Sequence, residues 1–311
     1  MMQPIKVIGF PRSGTSLLQR LLTSHPKIHC PPETYVFSGA ARMIRESSGE
    51  GPDLGMLTGL AFAGFEEADV LARLRALCFS FLDEAAEKEG KPLWAEKSAF
   101  DIFDLDGIET LLSGHCRFIC LVRNPLDVVA SMKDLTDQMG QNVPEMRPWM
   151  AQYDNYYLAW AAAWNDLNRA MLDMHMRLGA SSLLCRYEDL TADPEAELRR
   201  ITDFAELPPF AGKVAPEKAQ IGLGDWKIFN TDGVEKTRVA RWRRSLPRSS
   251  AKAALEVVGP LMEELDYDLP RISAPVTRQQ RIVQYKRAKQ MALSAHDHAK
   301  SPEKGKDKDL P

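Results

Sequence analysis

Arg12 lies in the run Gly9-Phe10-Pro11-Arg12-Ser13-Gly14-Thr15-Ser16, between an apolar stretch, Ile5 to Gly9, and a helical one beginning Leu17-Leu18. A strand, a tight loop and a helix start in that order form a cradle for an anion. The first N–H groups of a helix lack intrahelical acceptors and carry the positive end of its dipole. Gly9 and Gly14 keep the four-residue gap of a Walker A loop, but Thr15 stands where a nucleotide-hydrolysing loop places its lysine. The loop's own cation is Arg12. Such a loop suits a nucleotide whose transferred group carries less negative charge than a phosphoryl group.

A sulfuryl group meets that description, and Pro11-Arg12-Ser13-Gly14-Thr15-Ser16 resembles the loop that grips the 5′-phosphosulfate in sulfotransferases using 3′-phosphoadenosine 5′-phosphosulfate (PAPS). A second element strengthens the resemblance. Arg117 to Val122 is an apolar, β-rich run, followed by Arg123-Asn124-Pro125 and, eight residues after Arg123, by Ser131. In that family an Arg at the strand end and a Ser on the next helix bind the 3′-phosphate, which implies these roles for Arg123 and Ser131. Asn124 and Pro125 suit a helix start. Ser131 then lies about two turns inward, able to donate a hydroxyl beside the guanidinium fork.

The acceptor hydroxyl must lose its proton as its oxygen attacks sulfur, so a carboxylate is needed near the loop. Glu33, in Cys30-Pro31-Pro32-Glu33-Thr34, comes 21 residues after Arg12. Tyrosylprotein sulfotransferases, which this opening resembles, carry a catalytic Glu-Thr pair at that distance, and the resemblance implies Glu33 as base. The alternative is a Glu that caps or salt-bridges a following helix. Trp94-Ala95-Glu96-Lys97-Ser98-Ala99 differs from the Lys-Thr-His run of phenol and steroid sulfotransferases, because Ala99 stands where their catalytic His would be. Lys97 remains to neutralise transition-state charge together with Arg12; the plain alternative is an exposed lysine. Ile221 to Lys227 resembles the Gly-Asp-Trp-Lys stretch that closes over the cofactor, with Trp226 as its aromatic residue. The Arg-Lys-Gly run that follows it in relatives is absent. The basic cluster Arg238 to Arg244 is its replacement, with Arg241 and Trp242 as candidates for phosphate contact and adenine stacking, or else a surface patch around a half-buried indole.

The elements that must position these groups alternate. Strand 5–9 and helix 16–24 lead to a helical stretch, 35–89, with Gly-rich breaks at Gly49 to Pro52 and Gly55 to Gly64. Strand 117–122 and helix 125–134 follow, then a loop from Gly140 to Pro148 and one long amphipathic helix, Arg147 to Leu178, whose aromatic stripe reads as core. A strand over 182–187, a turn and a helix ending at Phe204 complete the pattern. The fold class is therefore α/β: a P-loop-like three-layer α/β/α sandwich with a central parallel sheet, ligands outside the strands' carboxyl ends, and helical insertions forming the acceptor pocket. Residues 1–270 read as the catalytic domain, and 271–311 as a basic helix, Arg278 to Leu293, with a disordered tail from Ser301. That tail segment holds ten Lys/Arg against four Asp/Glu, a net +6 that leaves −9 for the rest.

The 311 residues, 44% hydrophobic and 27% charged with a formal net charge of −3, give no general nucleic-acid signal. No run reaches the roughly 18 apolar residues of a membrane span and no charged-then-apolar leader opens the chain, so a cytoplasmic location is expected. Cys30, Cys78, Cys116, Cys120 and Cys185 lack metal spacing and read as free and buried, and the six histidines add no metal site. His25 reads as part of a helix-ending His-Pro turn. The combined expectation is sulfuryl transfer from PAPS to a small-molecule, lipid or sugar hydroxyl, less readily an amine, with no metal. The alternatives are a P-loop kinase using ATP, which the absent Walker lysine disfavours, and a non-catalytic nucleotide-binding module.

Overall fold

The computed structural model describes residues 2–45, 55–209 and 236–273, together with 281, 282, 285 and 286. Among the described residues five parallel strands run in the order β2-β3-β1-β4-β5, with β1 Ile5–Gly9, β2 Ile28–His29, β3 Leu93–Lys97, β4 Arg117–Val122 and β5 Ser182–Arg186. Both faces of this sheet are covered. Alternation along β4 sends Phe118, Cys120 and Val122 into a core beneath helices 67–88, 125–139, 156–178 and 248–264. Ile119 and Leu121 enter a second core shared with helices 15–23 and 194–204. Burial on both faces accounts for the apolar run of β4 after Arg117 and for the apolar residues of β1, which Lys6 alone interrupts. The expected three-layer α/β/α architecture is the one observed.

β1 sits centrally, with β3 on one side and β4 on the other. The chain moves outward to β2 and β3 before returning to the other side of β1, and the loops after β1 and β4 diverge at that reversal. Such a switch point opens a crevice at the carboxyl ends of the strands. Arg12 and Arg123 both follow strands that end there.

Several elements differ from the sequence reading, and three of them shape the core. Leu93–Lys97 is a fully buried strand, although Glu96 and Lys97 interrupt its apolar pattern; the two charges have partners, as described below. The expected single helix over 147–178 is broken into Arg147–Met150 and Tyr156–Leu178, because the Asn155 side chain accepts from the Tyr157 N–H (2.9 Å) and starts a new helix. Arg248–Glu264, unassigned from sequence, is a helix with Pro260 inside it, packed along Tyr156–Leu178. Trp160 and Trp164 are buried whereas Tyr156 is 55% exposed, so only the later part of the aromatic stripe forms core. All five cysteines are free and buried; burial pushes Cys30, Cys116, Cys120 and Cys185 up to about 12. Gly49 to Pro52, the stretch 221–227, and most of the proposed C-terminal helix and tail lie outside the described residues.

Candidate active site

The loop after β1 is shaped by two residues with positive φ, Arg12 at 73° and Gly14 at 98°. Gly14 precedes the helix Thr15–Thr23, and its carbonyl accepts from the N–H of Leu17 and Leu18 at 2.9 and 3.1 Å. A β-carbon at Gly14 would overlap the ring of Tyr187, so glycine is required there for space as well as for conformation. Pro11, Ser13 and Thr15 are buried, while Ser16 is partly exposed. The Ser13 hydroxyl is buried with no hydrogen-bond partner among the described residues. An orphaned hydroxyl costs about 1–3 kcal/mol unless something satisfies it, and in a loop at a helix N-terminus the fitting group is an anion.

Residues more than a hundred positions apart meet at this loop. Arg12 Nε donates to Ser131 Oγ (3.0 Å), and Arg123 Nη1 donates to the Arg12 carbonyl (3.0 Å). Arg123 Nη2 donates to the Arg238 carbonyl (2.9 Å), and the guanidinium lies over the Tyr187 ring, 4.0 Å from its centroid. Its Nε is buried without a partner. Of five guanidinium N–H groups two serve carbonyls, and the rest suit a phosphate. The orphaned Ser13 and Arg123 atoms, the loop and Ser131 are the groups that could hold phosphate oxygens here.

The second half of the site is assembled at the end of β3. Gln19, one turn into the loop helix, donates to the carbonyls of Cys30 and Pro31 (3.2 and 2.6 Å) and ties the Glu33 segment to that helix. Glu33 Oε1 accepts from Lys97 Nζ (2.6 Å) and from the Ala99 N–H (3.2 Å), and Oε2 accepts from the Tyr35 hydroxyl (2.6 Å). Lys97 Nζ is also 3.5 Å from Ser16 Oγ. Lys97 is thus a buried lysine, 2% exposed, linking the carboxylate to the loop.

Beneath it lies a buried ionic group. Lys6 of β1 pairs with Glu96 of β3 and with Asp101, and its ammonium faces the Phe37 ring. Burial opposes the Lys6 charge, but the two carboxylates outweigh it and hold the ammonium above the usual lysine range. Burial pushes Asp101 up to about 6 despite Lys6. Glu96 Oε1 accepts from the hydroxyls of Thr34 (2.9 Å) and Ser98 (2.6 Å), so the Glu33-Thr34 turn rests on this group.

The remaining candidates are placed differently. Trp226 lies outside the described residues. Trp242 is packed into the core at 7% exposure, and Arg241 pairs with Asp134 (2.5 Å). The Ala240 and Trp242 N–H groups both donate to buried Asp127 (2.7 and 2.8 Å), whose carboxyl burial pushes upward. This basic segment reaches the loop through the Arg238 carbonyl on Arg123. Sequence reasoning missed Tyr35, Tyr187, Gln19 and Asp127. Only Tyr35, two residues from Glu33, carried a local signal. His25 accepts from the Lys27 N–H at Nδ1 (3.1 Å) and meets the Pro208 carbonyl at Nε2 (3.2 Å), which makes it part of the turn. Among the described residues no group of three His, Cys, Asp or Glu side chains is placed to hold a metal ion, and no helix is long and apolar enough to cross a membrane.

This arrangement has relatives. The chain is 26% identical over 276 residues to nodulation protein NoeE of Sinorhizobium fredii, covering 84% of this chain and 65% of that protein. It is 23% identical over 279 residues to protein-tyrosine sulfotransferase A of Caenorhabditis elegans, covering 86% and 67%. It therefore spans about two thirds of the length of these relatives. Among solved structures, the sulfotransferase domain from the curacin biosynthetic pathway superposes with a TM-score of 0.56 at 19% identity, covering 87% of this chain and 99% of that one. The sulfotransferase domain of the Synechococcus PCC 7002 olefin synthase gives 0.52 at 22% identity, covering 87% and 98%. The two share the fold. The model of the sulfotransferase family matches residues 4–211, a span that contains the loop, Glu33, Lys97, Arg123 and Ser131, and the chain belongs to that family.

Proposed function

We propose that the protein transfers the sulfuryl group of PAPS to a hydroxyl of a small-molecule, lipid or sugar acceptor. The observation that carries this reading is the Glu33–Lys97 pair at 2.6 Å, with Lys97 3.5 Å from Ser16 at the head of the loop helix. Base and cation thus converge on the anion cradle. PAPS supplies a sulfuryl group already activated on phosphate. Pro11 to Ser16 hold the 5′ end through loop N–H groups and hydroxyls, while Arg123 and Ser131 hold the 3′-phosphate. Glu33 takes the acceptor proton at Oε2. Lys97 has three N–H groups, so it can keep Glu33, face Ser16 and still donate to the bridging oxygen of the leaving phosphate, with Arg12 adding charge at the same place.

Of the reported relatives only one carries an acceptor in its name, protein tyrosine, at 23% identity, so the acceptor is left at the level of a hydroxyl. Incubation with sulfur-labelled PAPS and a panel of phenols, sterols, sugars and lipids should yield a labelled product. Stabilisation by 3′-phosphoadenosine 5′-phosphate (PAP), and none by ATP with magnesium, should accompany it. Stabilisation by ATP alone, with no labelled product, would move the reading to a kinase or a nucleotide-binding module.

A further inference from the structure

We propose that Tyr35 is a positioning residue for the base: its hydroxyl fixes Glu33 Oε2 so that a single lone pair, aimed into the cleft, is left to receive the acceptor proton. This rests on the sulfotransferase reading above. A carboxylate has about four lone-pair sites. Lys97 and the Ala99 N–H use two on Oε1, and the Tyr35 hydroxyl, at 2.6 Å, uses one on Oε2. The fourth is the remaining site for a hydroxyl to be deprotonated. Without the phenol, Oε2 would accept a proton from two directions, one of them unproductive, and the carboxylate would lose the contact that sets its plane.

Tyr35 can serve this purpose because its own backbone is held from several sides. Its φ of 55° lies in the left-handed region, rare for a bulky aromatic residue, and such a conformation persists where the surroundings over-determine it. Its N–H donates to Ser98 Oγ (3.1 Å), and its carbonyl accepts from Ser38 Oγ (3.1 Å) and the Gly39 N–H (2.9 Å). Ser98 in turn donates to Glu96, which Lys6 anchors. The chain of contacts runs from a buried ion pair to the phenol and from the phenol to the base. Burial, Glu33 itself, and the more distant Asp101 and Glu145 hold the phenol above the usual tyrosine range, so it remains a protonated donor at neutral pH.

The test uses the full chain and single-turnover transfer of labelled sulfuryl from PAPS to water and to simple phenols. Tyr35→Phe should slow transfer about tenfold, the effect of one hydrogen bond to a charged group, with PAP affinity by calorimetry within about twofold of wild type. In a Glu33→Gln background the same change should add nothing, because Tyr35 acts through Glu33. Tyr35→His, which keeps a ring donor, should recover part of the rate, and it serves as the second variant if Phe weakens the fold. Wild-type transfer by Tyr35→Phe, or an equal loss in both backgrounds, would overturn the assignment of Tyr35 alone. A wild-type chain that neither binds PAP nor transfers sulfuryl would overturn the sulfotransferase reading and this proposal with it.

Discussion

The ends of β1, β3 and β4 and the helix Met56–Phe62 stand at opposite extremes of packing. At the strand ends Ser13, Lys97, Arg123 and Ser131 are each at most 7% exposed, and among the described residues only the Ser13 hydroxyl and Arg123 Nε of this group are buried without a partner. In Met56–Phe62 no residue is fully buried, and Phe62 is 86% exposed; on the following helix, Glu67–Lys88, Leu77 and Phe81 are also exposed. Where neighbours surround a side chain, its type is dictated. Where solvent does, it is free to vary. The proposed donor half of the site lies in the first region, and the helical segments expected to shape the acceptor pocket include the second. A family resemblance therefore speaks for donor chemistry and is silent on the acceptor.

The sharpest way to break this contrast is at the base. Glu33→Gln keeps size and removes basicity, so turnover should fall roughly a hundredfold or more while PAP affinity holds, as expected for general-base loss. Near-normal turnover would shift the base elsewhere, with His29 the next candidate. Lys97→Ala should also lower turnover, and Lys97→Arg should restore little, because a planar fork does not reproduce a compact ammonium against Glu33 and Ser16.

A smaller effect is expected at the phosphate end. The chain should prefer PAP over 5′-AMP by about 2 kcal/mol, roughly thirtyfold, and Arg123→Ala should erase most of that preference in calorimetry. Arg123→Lys retains charge but loses the contacts to the Arg12 and Arg238 carbonyls, so it should restore only part. Ser131→Ala should cost a few-fold, since it removes one hydroxyl and no charge. Equal affinity for the two nucleotides in the wild-type chain would remove the 3′-phosphate assignment.

The smallest effects test the other side. Phe62→Ser should change stability by no more than about 0.5 kcal/mol and leave PAP affinity unchanged, as for an exposed position. A large loss of PAP affinity there would show that the exposed helix belongs to the donor site. The cysteines should be equally quiet. With thiols buried and raised toward about 12, alkylation of the native protein at pH 8, read by intact mass, should be far slower than after unfolding.

Much of this molecule was legible from local pattern. The run into Arg12 to Ser16, and Arg123 followed by Ser131, depend on contacts within a strand–loop–helix unit, and such units fold as their sequence spacing predicts. β3 was not legible, because Glu96 and Lys97 make a buried strand resemble a surface segment. Their burial is tolerable only because Lys6, Thr34 and Glu33, from distant parts of the chain, and the adjacent Ser98 supply the partners. The break at Asn155 was hidden for the opposite reason: a single side-chain cap outweighed a long amphipathic pattern.

The sequence by itself determined the fold class, the strand–loop–helix unit around Arg12 to Ser16 and the residue types available for chemistry, since all three follow from periodicity, glycine placement and charge along the chain. Only the tertiary structure decided which of those residues meet. It placed Trp242 in the core, brought Arg238 to Arg123 through a backbone carbonyl, set Tyr187 against Gly14, and gave Glu33 its companions Lys97 and Tyr35. The physical reason is that these contacts join elements tens to more than a hundred residues apart, which leaves no mark in local spacing; the Tyr35–Glu33 contact alone is local, and it depends on a left-handed backbone that neighbours enforce.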